Sequence, residues 1–242
     1  MRVAKLVKYL PNFGWNSIVL TSSIRSDSGE LSKDVRKAVA LYRLPSCDVR
    51  VLYHAFTRVI SQLRKREGEA APLTAATQPP NPSPKSPLAA RYLVPDHIAG
   101  WILPAVLCGV YAVIRHRVNV IYSTSPLPSS NLVAYLVSRV CRIPWVLDMR
   151  DPWTTNPFAT QRGFPVLAKL ERFLEGVVLQ AADHVVVVSE QFLPPLLQTF
   201  PSLDRKKFNV IPNGYDPEDF EGIHAVRFDL FTIVHAGTFY GG

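Results

Sequence analysis

Four short runs dense in β-branched residues constrain this chain more than anything else in it. They are VNVIYSTS (Val118 to Ser125), IPWVLDMRD (Ile143 to Asp151), HVVVVSE (His184 to Glu190) and FNVIP (Phe208 to Pro212). Their apolar residues are continuous, the pattern of strands covered on both faces, and that kind of strand belongs to a parallel sheet. Parallel neighbours need a crossover between them, and helical patterns lie in each gap: SSNLVAYLVSRVCR, FPVLAKLERFLEGVVLQAAD and QFLPPLLQTF. Ser129 or Ser130 is expected to cap the first of these helices. The fold class is therefore α/β, a Rossmann-like, doubly wound parallel sheet.

Upstream the pattern is less regular. Val3, Leu6, Val7 and Leu10 have helical spacing, and Pro11 to Gly14 should stop that helix. NSIVLTS and VALYRLP then read as strands, and YHAFTRVISQLRKREGE as a helix with a basic end. A doubly wound domain ordinarily opens on a strand and a Gly-rich turn, whereas this chain opens on a helix. Six prolines between Ala71 and Leu88 leave little room for regular structure, so residues 71–90 are expected to form an exposed Pro-rich loop. Residues 98–114 hold no charge across 17 positions, near the lower limit of a membrane span. Because the next segment reads directly as a buried strand, this one is expected to be a buried crossover helix or a helix partly sunk in a membrane surface.

Charge and motif content narrow the function. The net charge is +8, and residues 1–70 carry 13 Lys and Arg against 6 Asp and Glu. That surplus suits an anionic partner or is a solvated face. The short basic runs at Arg64 to Glu67 and Asp204 to Phe208 lack interleaved aromatics, so no nucleic-acid binding is expected. Neither a G-x-G-x-x-G nor a Walker sequence nor a Gly-x-Ser-x-Gly elbow is present, and the six histidines show no metal-ligand spacing. Cys47, Cys108 and Cys141 match no disulfide or metal pattern. Cys108 and Cys141 read as small core residues of a protein in a reducing compartment.

In open parallel sheets ligands bind beyond the carboxyl ends of the strands. Here those ends carry Thr21 to Ser23, Ser123 to Ser125, Asp148 to Asp151, Ser189-Glu190 and Asn213-Gly214. DMRDPW stands out. On an extended segment Asp148 and Arg150 share one face and Asp151 points the other way, so two carboxylates flank one guanidinium. Such a cluster can hold an anion and orient an acceptor hydroxyl. It can equally be an ion network that pins the following loop under Pro152 and Trp153.

ADHVVVVSE followed by FNVIPNGYDPEDF resembles the signature of the retaining glycosyltransferase family 4. YSTSPLPSSNL, IPWVLDMRDPWT and HAGTFYGG are similar to a branch of that family that builds bacterial polysaccharides and glycolipids. The resemblance implies a GT-B architecture of two Rossmann-like domains, with residues 1–211 as the acceptor-side domain. Residues 212–228 would be the hinge, and 229–242 the first strand and loop of the donor-binding domain. It further implies transfer of a sugar, of hexosyltransferase type, from a nucleoside diphosphate donor to a glycan or lipid-linked acceptor, with no metal or other cofactor. The implied catalytic residues are Asp148, Arg150 and Asp151. Ser123, Thr124, Ser125, Asn131 and Trp153 would bind the acceptor, and Asn213, Gly214 and Asp216 would line the hinge and cleft. Gly237, Thr238, Gly241 and Gly242 would face the donor phosphate.

Three departures from the family pattern are visible. Asn131 stands where many members of the branch carry histidine, the family's donor-binding pair of glutamates has no counterpart, and the opening Gly-rich turn is missing. The expectation is a chain truncated at both ends and inactive without its donor domain. The setting implied is cytoplasmic, with peripheral contact to an anionic membrane. A non-catalytic membrane- or glycan-binding module of the same fold, and a nucleotide-sugar epimerase, are the competing readings.

Overall fold

The computed structural model describes residues 2–22, 34–45, 93–156, 164–222 and 228–235. Helix α1 (Arg2–Tyr9) leads through a 3₁₀ turn that Gly14 closes in the left-handed region, φ 77°. Strands β1 (Ile18–Ser22) and β2 (Ala40–Leu44) pair in parallel, Ile18 opposite Ala40. Next come α2 (Ile102–His116), β3 (Ile121–Thr124), α3 (Pro128–Cys141), β4 (Trp145–Met149), α4 (Pro165–Ala181), β5 (His184–Val187), α5 (Leu193–Thr199) and β6 (Phe208–Val210). β3 to β6 form a four-stranded parallel sheet in sequential order. The protein is thus an α/β, Rossmann-like domain, as the Val/Ile runs predict.

Two packed clusters hold it. In the first, Trp145, Leu147, Val185 and Val187 from the central strands meet Val178 and Leu179 of α4 and Leu193 and Leu196 of α5. Full burial of such side chains contributes about 1.5–3 kcal/mol each. In the second, Trp101 and Ala105 pack on Val133 and Val137 of α3, and Leu20 of β1, Leu44 of β2 and Ile121 of β3 join the same cluster. Among the described residues no backbone ladder links β1 to β3, so the two sheets are tied by side-chain packing beneath α2. α2 and α3 come close because position 109 is glycine: a Cβ there would sit 2.8 Å from Val137 Cγ2.

Several local expectations change. α2 begins at Ile102, so Pro104 falls in the first helical turn, where a missing amide removes no helical hydrogen bond. Its outer side is not buried, because α3 covers only the opposite one. Neither Ser129 nor Ser130 caps α3. Asp96 does so from a distant loop, accepting from Ser129 N at 2.7 Å and from Ser129 Oγ at 2.7 Å. Cys108 and Cys141 are half-buried free thiols rather than fully buried ones, Cys141 packing against the second cluster, and burial pushes both upward in pKa. The strand expected within 229–242 lies partly outside the described residues; those described, 229–235, hold no strand and are exposed. The Pro-rich loop, the basic helix at 53–69, Ser23 and Cys47 lie outside the described residues.

Candidate functional site at the strand ends

The register of β3 against β4 sets Thr124 beside Asp148; β3 stops there and β4 one residue later, at Met149. Thr124 Oγ1 donates to Asp148 Oδ2 at 2.9 Å. The guanidinium beside Asp148 is not that of Arg150 but that of Arg2, from the first turn of α1, with Nε 3.3 Å from the same oxygen. Arg2 reaches further: its Nη1 donates to the Ile211 and Pro212 carbonyls at 3.2 and 3.3 Å and to Asn213 Oδ1 at 3.3 Å. One side chain therefore joins α1, the end of β4 and the turn after β6. Asp148 is 0 % exposed, and its Oδ1 has no hydrogen-bond partner among the described residues. A buried carboxylate oxygen left open is expensive and calls for a reason. Tyr122, two positions before Thr124 in β3, has its phenol pKa raised, first by burial and then by a hydrogen bond to the Asp148 carboxylate.

Arg150 stands past the end of β4. Its amide donates to Ser125 Oγ at 2.9 Å, and Ser125 N donates to the Asp148 carbonyl at 3.1 Å. No carboxylate pairs with its guanidinium among the described residues, and Nε is buried without a partner. The expected cluster of two carboxylates around Arg150 is thus not formed, because the chain turns at Arg150 and Asp151 is exposed. Trp153 and Thr154 are held by α4. Trp153 Nε1 donates to Glu171 Oε1 at 3.3 Å, while the amides of Trp153 and Thr154 donate to Glu175 at 3.2 and 3.0 Å. Thr154 Oγ1 adds a further bond to Glu175. Burial pushes the Glu175 carboxyl upward in pKa, and those donors oppose the shift.

Ser123 and Asn131 meet, but behind the rim. Trp145 Nε1 donates to Ser123 Oγ at 2.9 Å, and Ser123 Oγ donates to Asn131 Oδ1 at 3.0 Å. All three residues are buried, so this chain of polar groups pins α3 to β3 and β4. Asp216 closes the other side. Its carboxylate accepts from Lys5 Nζ, Lys8 Nζ and Tyr9 Oη, each at 2.6 Å, and these donors hold its pKa well below the carboxylate range. Gly214 follows Asn213 in the exposed turn between Arg2 and this clamp. Gly237, Thr238, Gly241 and Gly242 lie outside the described residues.

Arg2, Asp96, Glu171 and Glu175 were not singled out from the sequence. The two glutamates were findable: at i and i+4, with Val178 following, they interrupt the buried stripe of α4. Arg2 carried no such signal. Among the described residues no three His, Cys, Asp or Glu gather as metal ligands. An open concavity of about 390 Å³ lies by Asp183, His184, Lys206 and Lys207, at the strands' amino edge and away from this rim. A family model described as a glycosyl transferase 4-like domain matches residues 1–214. No curated protein matches the chain.

Proposed function

Because the chain belongs to the glycosyl transferase 4-like family and so carries a glycosyltransferase-type function, we propose that its strand-end rim receives the acceptor of a sugar transfer. The donor would be a nucleoside diphosphate sugar and the acceptor a glycan or a lipid-linked saccharide. In that transfer the anomeric C–O bond to the diphosphate breaks, its electron pair leaving with the nucleoside diphosphate. A new C–O bond forms to the acceptor hydroxyl oxygen, whose proton passes to the departing diphosphate. The resemblance of the motifs supports retention at the anomeric carbon.

The observation that carries this reading is the open Oδ1 of buried Asp148. A carboxylate kept dry with one acceptor position unfilled suits a hydroxyl donor from a ligand. Thr124 and Arg2 fix its other oxygen, so the group is preorganised. Arg150, just past the end of β4 and with no carboxylate on its guanidinium among the described residues, offers a cation for an anionic part of either substrate, and Trp153, held by Glu171 and Glu175, offers an aromatic wall for a sugar face.

The test is a binding titration of the chain against short glycans and lipid-linked saccharides. Saturable binding that Asp148→Asn weakens at least tenfold is expected, since a hydrogen bond to a charged group is worth about 1.5–3 kcal/mol. Circular dichroism should be unchanged. Equal binding by the variant, or no binding by the parent chain, overturns the assignment.

A further inference from the structure

α2 is apolar all round, and a helix of that kind is ordinarily buried. Its inward stripe, Ala105, Gly109 and Ala112, is covered. On the other side Leu103, Leu107, Tyr111 and Ile114 are exposed at 70 %, 66 %, 55 % and 72 %. At 3.6 residues per turn these four positions fall within an arc of about 80°. They form one stripe along a helix of 15 residues, roughly 22 Å in length at 1.5 Å per residue.

Along α2, α3 and the segment joining them the charge has a single sign. From His97 to Leu147 the sequence contains Arg115, Arg117, Arg139 and Arg142 and no Asp or Glu, and all four arginines are exposed. α2 and α3 each lead into one of two neighbouring parallel strands, so their last turns, which carry these arginines, lie at the same edge of the sheet. Ile114 and Val140, exposed at 72 % and 63 %, stand among them. Arg117 and Arg142 end their helices in the left-handed region, φ 52° and 56°, and among the described residues no other non-glycine has a positive φ. Glycine fills that position without strain. Here the strained position carries a cation twice.

We propose that this face lies flat on an anionic phospholipid bilayer, with the Leu103 to Ile114 stripe at the acyl boundary and the four arginines among the lipid phosphates. An apolar stripe that ends among arginines, with a tyrosine in it, matches the layering of that boundary. Ala99–His116 is long and apolar enough by composition to cross a membrane, but its inner side is committed to α3 and to both sheets, so the helix rests on the surface. The Leu103 end of the stripe is the end nearer the strand-end rim. The proposal does not depend on what that rim holds.

The experiment is co-sedimentation of the 242-residue chain with vesicles of phosphatidylcholine alone or mixed with phosphatidylglycerol. The parent chain is expected to sediment with the anionic vesicles and to be released by salt. Arg117→Gly/Arg142→Gly should weaken partitioning about 25-fold, from roughly a factor of five for each surface arginine. Its melting temperature should be unchanged or raised, since glycine relieves both left-handed positions, and that separates lost binding from lost fold. Leu107→Ser/Ile114→Ser, at outward positions, should weaken partitioning at least tenfold. The proposal fails if the parent chain ignores anionic vesicles, if both variants sediment as it does, or if the substitutions instead dissolve a self-associated form of the chain in the absence of lipid.

Discussion

Glu175 shows how a buried charge can serve a loop rather than a reaction. Its two oxygens take up the amides of Trp153 and Thr154 and the Thr154 hydroxyl, and each donor left unpaired costs roughly 1–3 kcal/mol. Glu175→Ala should therefore destabilise the domain by a few kcal/mol in urea melts and free the Trp153 loop. Because its folded pKa is raised above the ordinary 4.5, the folded protein binds more protons than the unfolded chain just above that value. Stability from this group is full below pH 4.5 and falls as pH rises through the raised pKa. Glu175→Gln should flatten that fall; an unchanged slope would sink the idea. Asp148 was visible in the sequence as a carboxylate at the end of a buried strand. Its cationic partner was misread, because two-residue spacing suggested Arg150 whereas the guanidinium arrives from α1, at the far end of the chain.

The helix pair α2 and α3 depends on a missing side chain. Gly109→Ala gains about 1 kcal/mol of helix propensity, but the new Cβ meets Val137 Cγ2 at 2.8 Å. Val137 is β-branched and stiff in a helix, so overpacking of about 1–3 kcal/mol should win. A lower melting temperature is expected, and a higher one would mean that the helices have room to part. Strands and helices were legible here because apolar runs and 3.6-residue spacing are local signals. Helix ends were less so. Asp96 lies 33 positions from Ser129, and a cap supplied from that distance leaves no mark beside the helix it closes. Composition likewise placed α2 without saying which side of it would stay uncovered.

At the scale of the whole domain, a set of charges ties α1, at the start of the chain, to the turn after β6. Asp216, ordinarily near 3.8, is held lower by Lys5 and Lys8, so its contribution is present above that value and is lost as pH falls through the folded pKa. Lys5 is raised above its ordinary 10.5 chiefly by Asp216, and Lys8 likewise rises through its bonds to Asp216 and Glu218 although burial opposes the shift. Their contribution is full below 10.5 and is lost above. Stability should therefore show a broad neutral plateau with an acid and an alkaline shoulder. Asp216→Asn should shrink both shoulders in thermal melts taken across the pH range, and a profile identical to that of the parent would exclude the clamp as their source.

Arg2 gives this arrangement a further property. The same guanidinium holds Asp148 through Nε and the Ile211 to Asn213 turn through its terminal nitrogens. A ligand that draws Arg2 away from the carboxylate also alters its grip on the turn, and by thermodynamic reciprocity a movement of the turn changes how tightly that ligand is held. Occupancy at the rim and posture at the segment leaving the domain are then two readings of one equilibrium, written in a single side chain.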